Sequence, residues 1–276
     1  MIRALFLFFS AFSACCCLAA DKPQRIVSLS LCSDELVVLL ADPDKIASLS
    51  YLAADSRYSF FSEELGDIYL NHAQAEELIP LQPDLVLNSQ FSATSAVNLL
   101  EGFGYPTKTL GFPATLQQAF QQIQEVAALL GEVERGEALI RQMQSRINAV
   151  RESLSGLENL SAVFYANNGF SFGSNTLRDD FLTSLGLRNL AAEQGLSGSG
   201  KLALERLISG NPDYLLVDQS GRHDAKLIQP LLQHPVLKSY FPAERIIVLP
   251  DTLFQCAGPS MIDAYEIILR SIEMNR

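Results

Sequence analysis

The sequence predicts an α/β protein of two lobes, each with a parallel sheet, joined by one long α-helix. Three observations carry this. Apolar residues from Leu116 through Phe120, Ile123, Ala127, Leu130, Leu139, Met143, Ile147 and Val150 to Leu154 mostly recur every three or four positions, the period of a helix with one buried face. A unit Glu-x-Leu-Ile-x-x-x-Pro-Asp followed by an apolar run occurs on each side of that stretch, at Glu76–Leu87 and at Glu205–Val217. Its glutamates and its aspartates, Asp84 and Asp213, are each 129 positions apart. Finally, short apolar runs alternate with helical patterns in both halves, which argues for parallel sheets.

The first half reads in order as follows. Arg25–Leu29 is a strand, and Ser33 can cap a helix over Asp34–Leu40. Asp42-Pro43-Asp44 turns the chain into a strand over Lys45–Leu52, and Ala53–Gly66 is a loop. In the first repeated unit a short helix ends near Leu81, because the residue before proline avoids the helical region, and Leu85–Leu87 is a buried strand. A helix over Ser92–Gly102 and a strand over Tyr105–Leu110 complete this half.

The helical stretch from Thr115 to Ser155 follows, with Thr115 as its cap and Gly156 at its end. Straight, it would span about 60 Å. The competing reading is two packed helices with a turn near Gly131. The second half repeats the scheme: a strand over Ser161–Ala166, a loop over Asn167–Gly173, and a helix from Asn175 or Thr176 to Leu185. Then come a Gly/Ser-rich loop over Ala191–Lys201 and the second repeated unit with its strand Tyr214–Val217. Helical pieces over Ile228–Leu232 and Val236–Tyr240, a strand over Arg245–Leu249 and a closing helix over Ser260–Glu273 finish the chain. The expected divisions are a signal segment at 1–20, a first lobe at 21–113, a connecting helix at 114–156 and a second lobe at 157–276. Both lobes are Rossmann-like, so a ligand is expected beyond the carboxyl ends of the strands.

Composition narrows the function. With 48% hydrophobic and 18% charged residues the chain has ample core and is not disordered. A net charge of −11 argues against a nucleic-acid partner, which needs basic stripes. Met1-Ile2-Arg3 followed by the uncharged, mostly apolar Ala4–Ala20 reads as a secretory signal. Cleavage after Ala19 or Ala20 would release a soluble protein. Phe12-Ser13-Ala14-Cys15 offers the alternative of a lipoprotein anchored through Cys15. Outside that segment only Cys32 and Cys256 remain, and in an exported chain they suggest either one disulfide or two separate buried thiols.

Several chemistries lack support. Gly195–Lys201 nearly spells a phosphate loop, but Leu202 stands where Ser or Thr would hold magnesium. The same segment carries only a degenerate hydrolase elbow, with no strand leading into it. His72, His223 and His234 have no ligand spacing. Catalytic residues, metal ligands and a cofactor are therefore not expected.

The Arg-Ile-Val-Ser-Leu first strand, the duplicated Glu…Pro-Asp unit, the dividing helix and the Gly131–Ile140 segment together resemble the periplasmic substrate-binding proteins of ABC importers for iron-siderophores, haem and cobalamin. The resemblance covers about residues 23–274. Leu31-Cys32-Ser33-Asp34 together with Phe254–Pro259 is similar to a subgroup associated with cobalamin or iron-complex import. It implies a monomer that captures a small-molecule metal chelate between its lobes and delivers it to an ABC transporter permease. It also implies that Glu76 and Glu205, one per lobe, meet arginines of the permease; a solvated glutamate at a helix start is the competing reading. A flat chelate would be held by aromatic faces and a few polar or cationic groups. Candidates are Cys32, Tyr51, Arg57, Tyr58, Phe91, Tyr165, Phe170, Arg222 and Phe254, and ordinary packing competes for most of them. If Cys32 and Cys256 both reach the cleft, they would bond across it. An exported enzyme using the same cleft, or a lipid-anchored receptor without a transporter, are the alternative functions.

Overall fold

The computed structural model describes residues 22–90, 94–156, 159–219 and 234–274. The expected signal segment with Cys15, the candidates Phe91 and Arg222, His223 and the helical piece Ile228–Leu232 lie outside these residues.

The first lobe runs β1 (Ile26–Ser28), α1 (Leu31–Leu40), β2 (Ile46–Ser50), β3 (Leu70–Asn71), α2 (Ala75–Leu78), β4 (Leu85–Ser89), α3 (Thr94–Gly102) and β5 (Thr107–Leu110). All five strands are parallel, in the order β3-β2-β1-β4-β5. Two helices follow, α4 (Leu116–Leu130) and α5 (Val133–Ser153). The second lobe runs β6 (Ser161–Phe164), β7 (Phe170–Phe172), α6 (Leu177–Ser184), β8 (Arg188–Asn189), α7 (Leu190–Glu193), β9 (Ser199–Lys201), α8 (Leu204–Gly210), β10 (Tyr214–Gln219), α9 (Pro235–Tyr240), β11 (Ile246–Pro250) and α10 (Ser260–Met274). Its main sheet is parallel, in the order β11-β10-β6-β8, and β7 pairs antiparallel with β9. The fold is thus the bilobal α/β arrangement expected. The two segments read as loops, Asn167–Gly173 and Ala191–Lys201, contribute this extra β7–β9 pair and the short α7.

The one continuous dividing helix is not found; the stretch is two helices. Gly131 adopts φ +71°, a left-handed conformation that ends α4, and its N–H reaches back to Ala127 and Ala128. The apolar faces of α4 and α5 then pack on each other, with Gly136 against Ala127 and Ile123. Both faces keep the helical period, which is why the sequence pattern runs through the turn without showing it. The two helices bridge the lobes. α4 packs on α1, and its first turn receives Asp180 from α6, whose Oδ2 accepts from Leu116 N at 2.7 Å. α5 is tied to the first lobe by Arg135, which donates to Leu40 O and Asp42, and to α10 by Arg146, which donates to Asp263 and Glu266.

The duplicated unit does the same structural work twice. Gln82 and Asn211 both take left-handed caps at its short helix, with φ 48° and 43°. The two Pro-Asp carboxylates then pin the first strand of each lobe. Asp84 accepts from Gln24 N and Arg25 N, each at 2.8 Å, ahead of β1. Asp213 accepts from Ser161 N at 2.7 Å and from its hydroxyl at 2.8 Å, at the start of β6.

Candidate functional site

The carboxyl ends of the parallel strands open toward a cleft between the lobes. A cavity of about 500 Å³ is lined by Leu29–Cys32 around the end of β1, Tyr51, Leu52, Asp55, Arg57 and Tyr58 after β2, Ser89 and Gln90 at the end of β4, Leu110–Pro113 at the end of β5, and Gln255–Gly258 from the second lobe. This is where parallel α/β sheets place ligands, because the loops there are free of the ladder and converge. A second hollow of about 430 Å³ adjoins it and shares Phe112, Pro113 and Gln255 as a common ridge. Its floor is Phe172, Arg178 and Phe254.

The first-lobe wall is aromatic and carries one ion pair. Tyr51 is 50% exposed and Tyr58 40% exposed, and both line the cavity. Tyr51 stacks on His72 at 5.1 Å, and the Arg57 guanidinium lies 5.4 Å from the Tyr58 ring centre. Arg57 donates to both oxygens of Asp55, and these hydrogen bonds hold the Asp55 carboxyl at about 2.

Beneath this wall the first turn of α1 is buried. Ser30 caps it, accepting from Ser33 N. Cys32 is bonded to Cys256, joining the two lobes over a separation of 224 residues. One turn on, Glu35 is buried and accepts from Ser260 N at 3.3 Å, at the start of α10 in the other lobe. Burial pushes its carboxyl up. A side chain at Gly258 would stand 2.7 Å from Glu35 Oε1, so the glycine is what lets the two lobes meet there. Asp34 turns the other way, into the first lobe, where it accepts from Ser50 N at 3.1 Å and from the Ser50 hydroxyl.

The structure therefore brings Cys32, Tyr51, Arg57 and Tyr58 to one cavity and Cys256 to its far wall. Phe254 belongs to the adjoining hollow but is only 8% exposed; it packs edge-on against Phe164 and Phe181. Tyr165 is buried and lines a separate hollow with Asn167, Lys201 and Leu204. Burial raises its phenol pKa, with a further contribution from the Glu205 charge. Phe170 is exposed and packs edge-on against Phe172, and it is Phe172 that lines the cleft. Glu76 on α2 and Glu205 on α8 are exposed, each in the first turn of its helix and on its own lobe.

Sequence reasoning missed Glu35, Phe112, Phe172 and Arg178. Arg178 had a signal: Asp218 closes the apolar run of β10 where the cleft was expected, and a carboxylate there calls for a cationic partner.

The periplasmic binding protein family model matches residues 26–250 of the chain. The chain belongs to the periplasmic binding protein family. The resemblance read from the duplicated unit and the first strand therefore holds. Among solved structures, a periplasmic heme-binding protein from Roseiflexus sp. RS-1 is 25% identical, with a TM-score of 0.73 over 91% of this chain and 98% of that one. A vitamin B12 binding protein from Vibrio cholerae is 15% identical, TM-score 0.66, over 92% and 98%. An ABC-type Fe3+-hydroxamate transport protein from Saccharomonospora viridis is 20% identical, TM-score 0.68, over 91% and 93%. The last two similarities concern the fold alone. No curated protein matches this binding protein in sequence.

Proposed function

We propose that this periplasmic binding protein captures a metal chelate, either haem, a corrinoid or a ferric siderophore, in the cleft between its lobes and hands it to the permease of an ABC importer. The observation that carries this reading is the inter-lobe cavity of about 500 Å³ with half-exposed Tyr51 and Tyr58 on its wall. Its volume lies in the range of small-molecule sites, about 300–1,000 Å³, and such sites combine aromatic surface with a few oriented polar groups. Cys32, Tyr51, Arg57 and Tyr58 are the proposed contacts from the first lobe. The relative from Roseiflexus, named for haem, makes haem the first ligand to try.

Delivery is proposed to use Glu76 and Glu205. Each carboxylate sits exposed on its own lobe, so the pair reports the distance and tilt between lobes to whatever they touch. Exposed charges of this kind steer docking more than they tighten it.

The test is titration of the mature protein with haem, cyanocobalamin and a set of ferric siderophores. Tyrosine fluorescence serves as one readout, since the chain has no tryptophan, and calorimetry as the other. Saturable micromolar or tighter binding of one of them is expected, and absence of binding across the set would sink the chelate reading. The double reversal Glu76→Lys with Glu205→Lys should leave ligand affinity unchanged and abolish stimulation of the reconstituted importer. Unchanged stimulation would remove the docking role.

A further inference from the structure

Arg178, at the second-lobe end of the cleft, is held in an unusual way. Its guanidinium lies 4.6 Å from the ring centre of Phe164, 4.3 Å from that of Phe172 and 4.6 Å from that of Phe254. Its Nη1 donates to both Asp218 oxygens at 2.7 Å. The side chain is 13% exposed. Rings on several sides and a carboxylate at one end leave it little freedom, so it is preorganised without a ligand.

The fork is not used up. Nε and Nη2 make no hydrogen bond to any described residue. No buried side-chain nitrogen or oxygen among the described residues lacks a partner, so these two N–H groups reach solvent. Arg178 lines the second hollow, together with Asn175, Thr176, Ser199 and Gln255. A guanidinium edge with two parallel N–H groups matches the two oxygens of a carboxylate. Prior pairing with Asp218 does not forbid this. Arg146 in the same molecule holds two carboxylates at once, Asp263 and Glu266.

We propose that Arg178 is a specificity-determining residue that receives a carboxylate arm of the chelate, so that the protein selects acidic chelates over their neutral counterparts. This rests on the chelate-binding reading above and narrows it. The first-lobe cavity with Tyr51 and Tyr58 takes the apolar body, and the second hollow takes the acidic arm. Arg57, the cation of the first-lobe wall, is bound along its fork to Asp55 and is 60% exposed, so it is the less prepared of the two.

The test compares matched ligands on the wild-type protein: haem with haem dimethyl ester, cyanocobalamin with its monocarboxylic acid derivative, and a carboxylate-bearing ferric siderophore with a trihydroxamate lacking one. Within whichever pair binds, the acid is expected to bind about tenfold tighter or more, the size of a hydrogen bond to a charged group. Arg178→Lys, which keeps the charge but loses the fork, should shrink that preference, and the neutral pair Arg178→Met with Asp218→Asn should abolish it. Equal affinity for acid and neutral ligand overturns the inference and leaves chelate binding intact. A preference that survives in the neutral-pair variant also overturns it, because the acid is then read elsewhere. Failure of every ligand to bind overturns the chelate reading and this inference with it.

Discussion

Cys32 and Cys256 are bonded to each other, one in the first turn of α1 and the other six residues after β11, so a covalent link joins the two lobes that the helices α4 and α5 also bridge. The two lobes are thereby tied at two places, and Glu35 with Ser260 seals the contact beside the bond.

Closing a loop across 224 residues restricts the unfolded chain strongly, by up to about 5 kcal/mol in the chain-entropy model. The mature protein with Cys32→Ala and Cys256→Ala should therefore unfold at lower denaturant with a stability loss of about 2–5 kcal/mol. Denaturant melts with and without reductant check it: reductant should move the wild type and leave the double variant where it is.

Stability should fall from weakly acidic to weakly alkaline pH. Burial pushes the Asp34 carboxyl from 3.8 up to about 7, against hydrogen bonds from Ser28 and Ser50 that favour the ionised form. Glu35 is shifted in the same direction by burial. A raised folded pKa means the folded state holds its proton more tightly. That stabilisation is complete below the unfolded value and is lost as pH rises through about 7 for Asp34. The difference corresponds to on the order of 4 kcal/mol at most. Asp42 and Asp55, both lowered to about 2 by hydrogen bonds to cations, act oppositely and matter only as pH falls below the usual carboxylate range. Thermal unfolding from about pH 5 to 8 should show a falling midpoint in the wild type and a flatter profile in Asp34→Asn. A profile that rises over this range would contradict the burial argument.

The helix pair can be tested at Gly136. A methyl there would stand 2.4 Å from the Ala127 Cβ, so Gly136→Ala must push α4 and α5 apart. The expected cost is about 1–3 kcal/mol, although alanine is the better helix former. A single continuous helix would instead be stabilised by the change, and a denaturant melt distinguishes the two.

The cleft aromatics should divide into two groups. Phe254 packs against Phe164, Phe181 and the Arg178 guanidinium, so Phe254→Ala should cost about 3–5 kcal/mol. Tyr51 and Tyr58 are half-exposed, so alanine at either should change stability by no more than about 0.5 kcal/mol and still weaken binding of whichever chelate the titrations identify. Paired melts and titrations of the three variants check this.

Most of the architecture was legible in the sequence because it is locally encoded. The buried strands β1, β4, β6 and β10 are short apolar runs bounded by turn residues, and the repeated Glu…Pro-Asp unit announces two copies of one design. The turn at Gly131 was ambiguous for a local reason. The apolar period continues across it, and the left-handed Gly131 together with the packing of Gly136 on Ala127 settles that the chain reverses. The site was legible in part. Tyr51 and Tyr58 follow β2 in a polar segment at a strand's carboxyl end, which is enough to place them in the cleft. Phe170 and Phe172 stand two positions apart on one short strand and so share a face, and the spacing alone does not say which of the two rings reaches the cavity.

By itself the sequence determined two α/β lobes, the duplicated unit, the helical divider and the strand ends at which the inter-lobe cavity opens, since each follows from residue period and turn chemistry within a few positions. Tertiary structure alone decided the Cys32–Cys256 bond, the contact of Glu35 with Ser260, and the seat of Arg178 among three phenylalanines beside Asp218. These join residues tens to hundreds of positions apart, and no local pattern records which distant side chains the packing of two lobes will bring within a few ångströms.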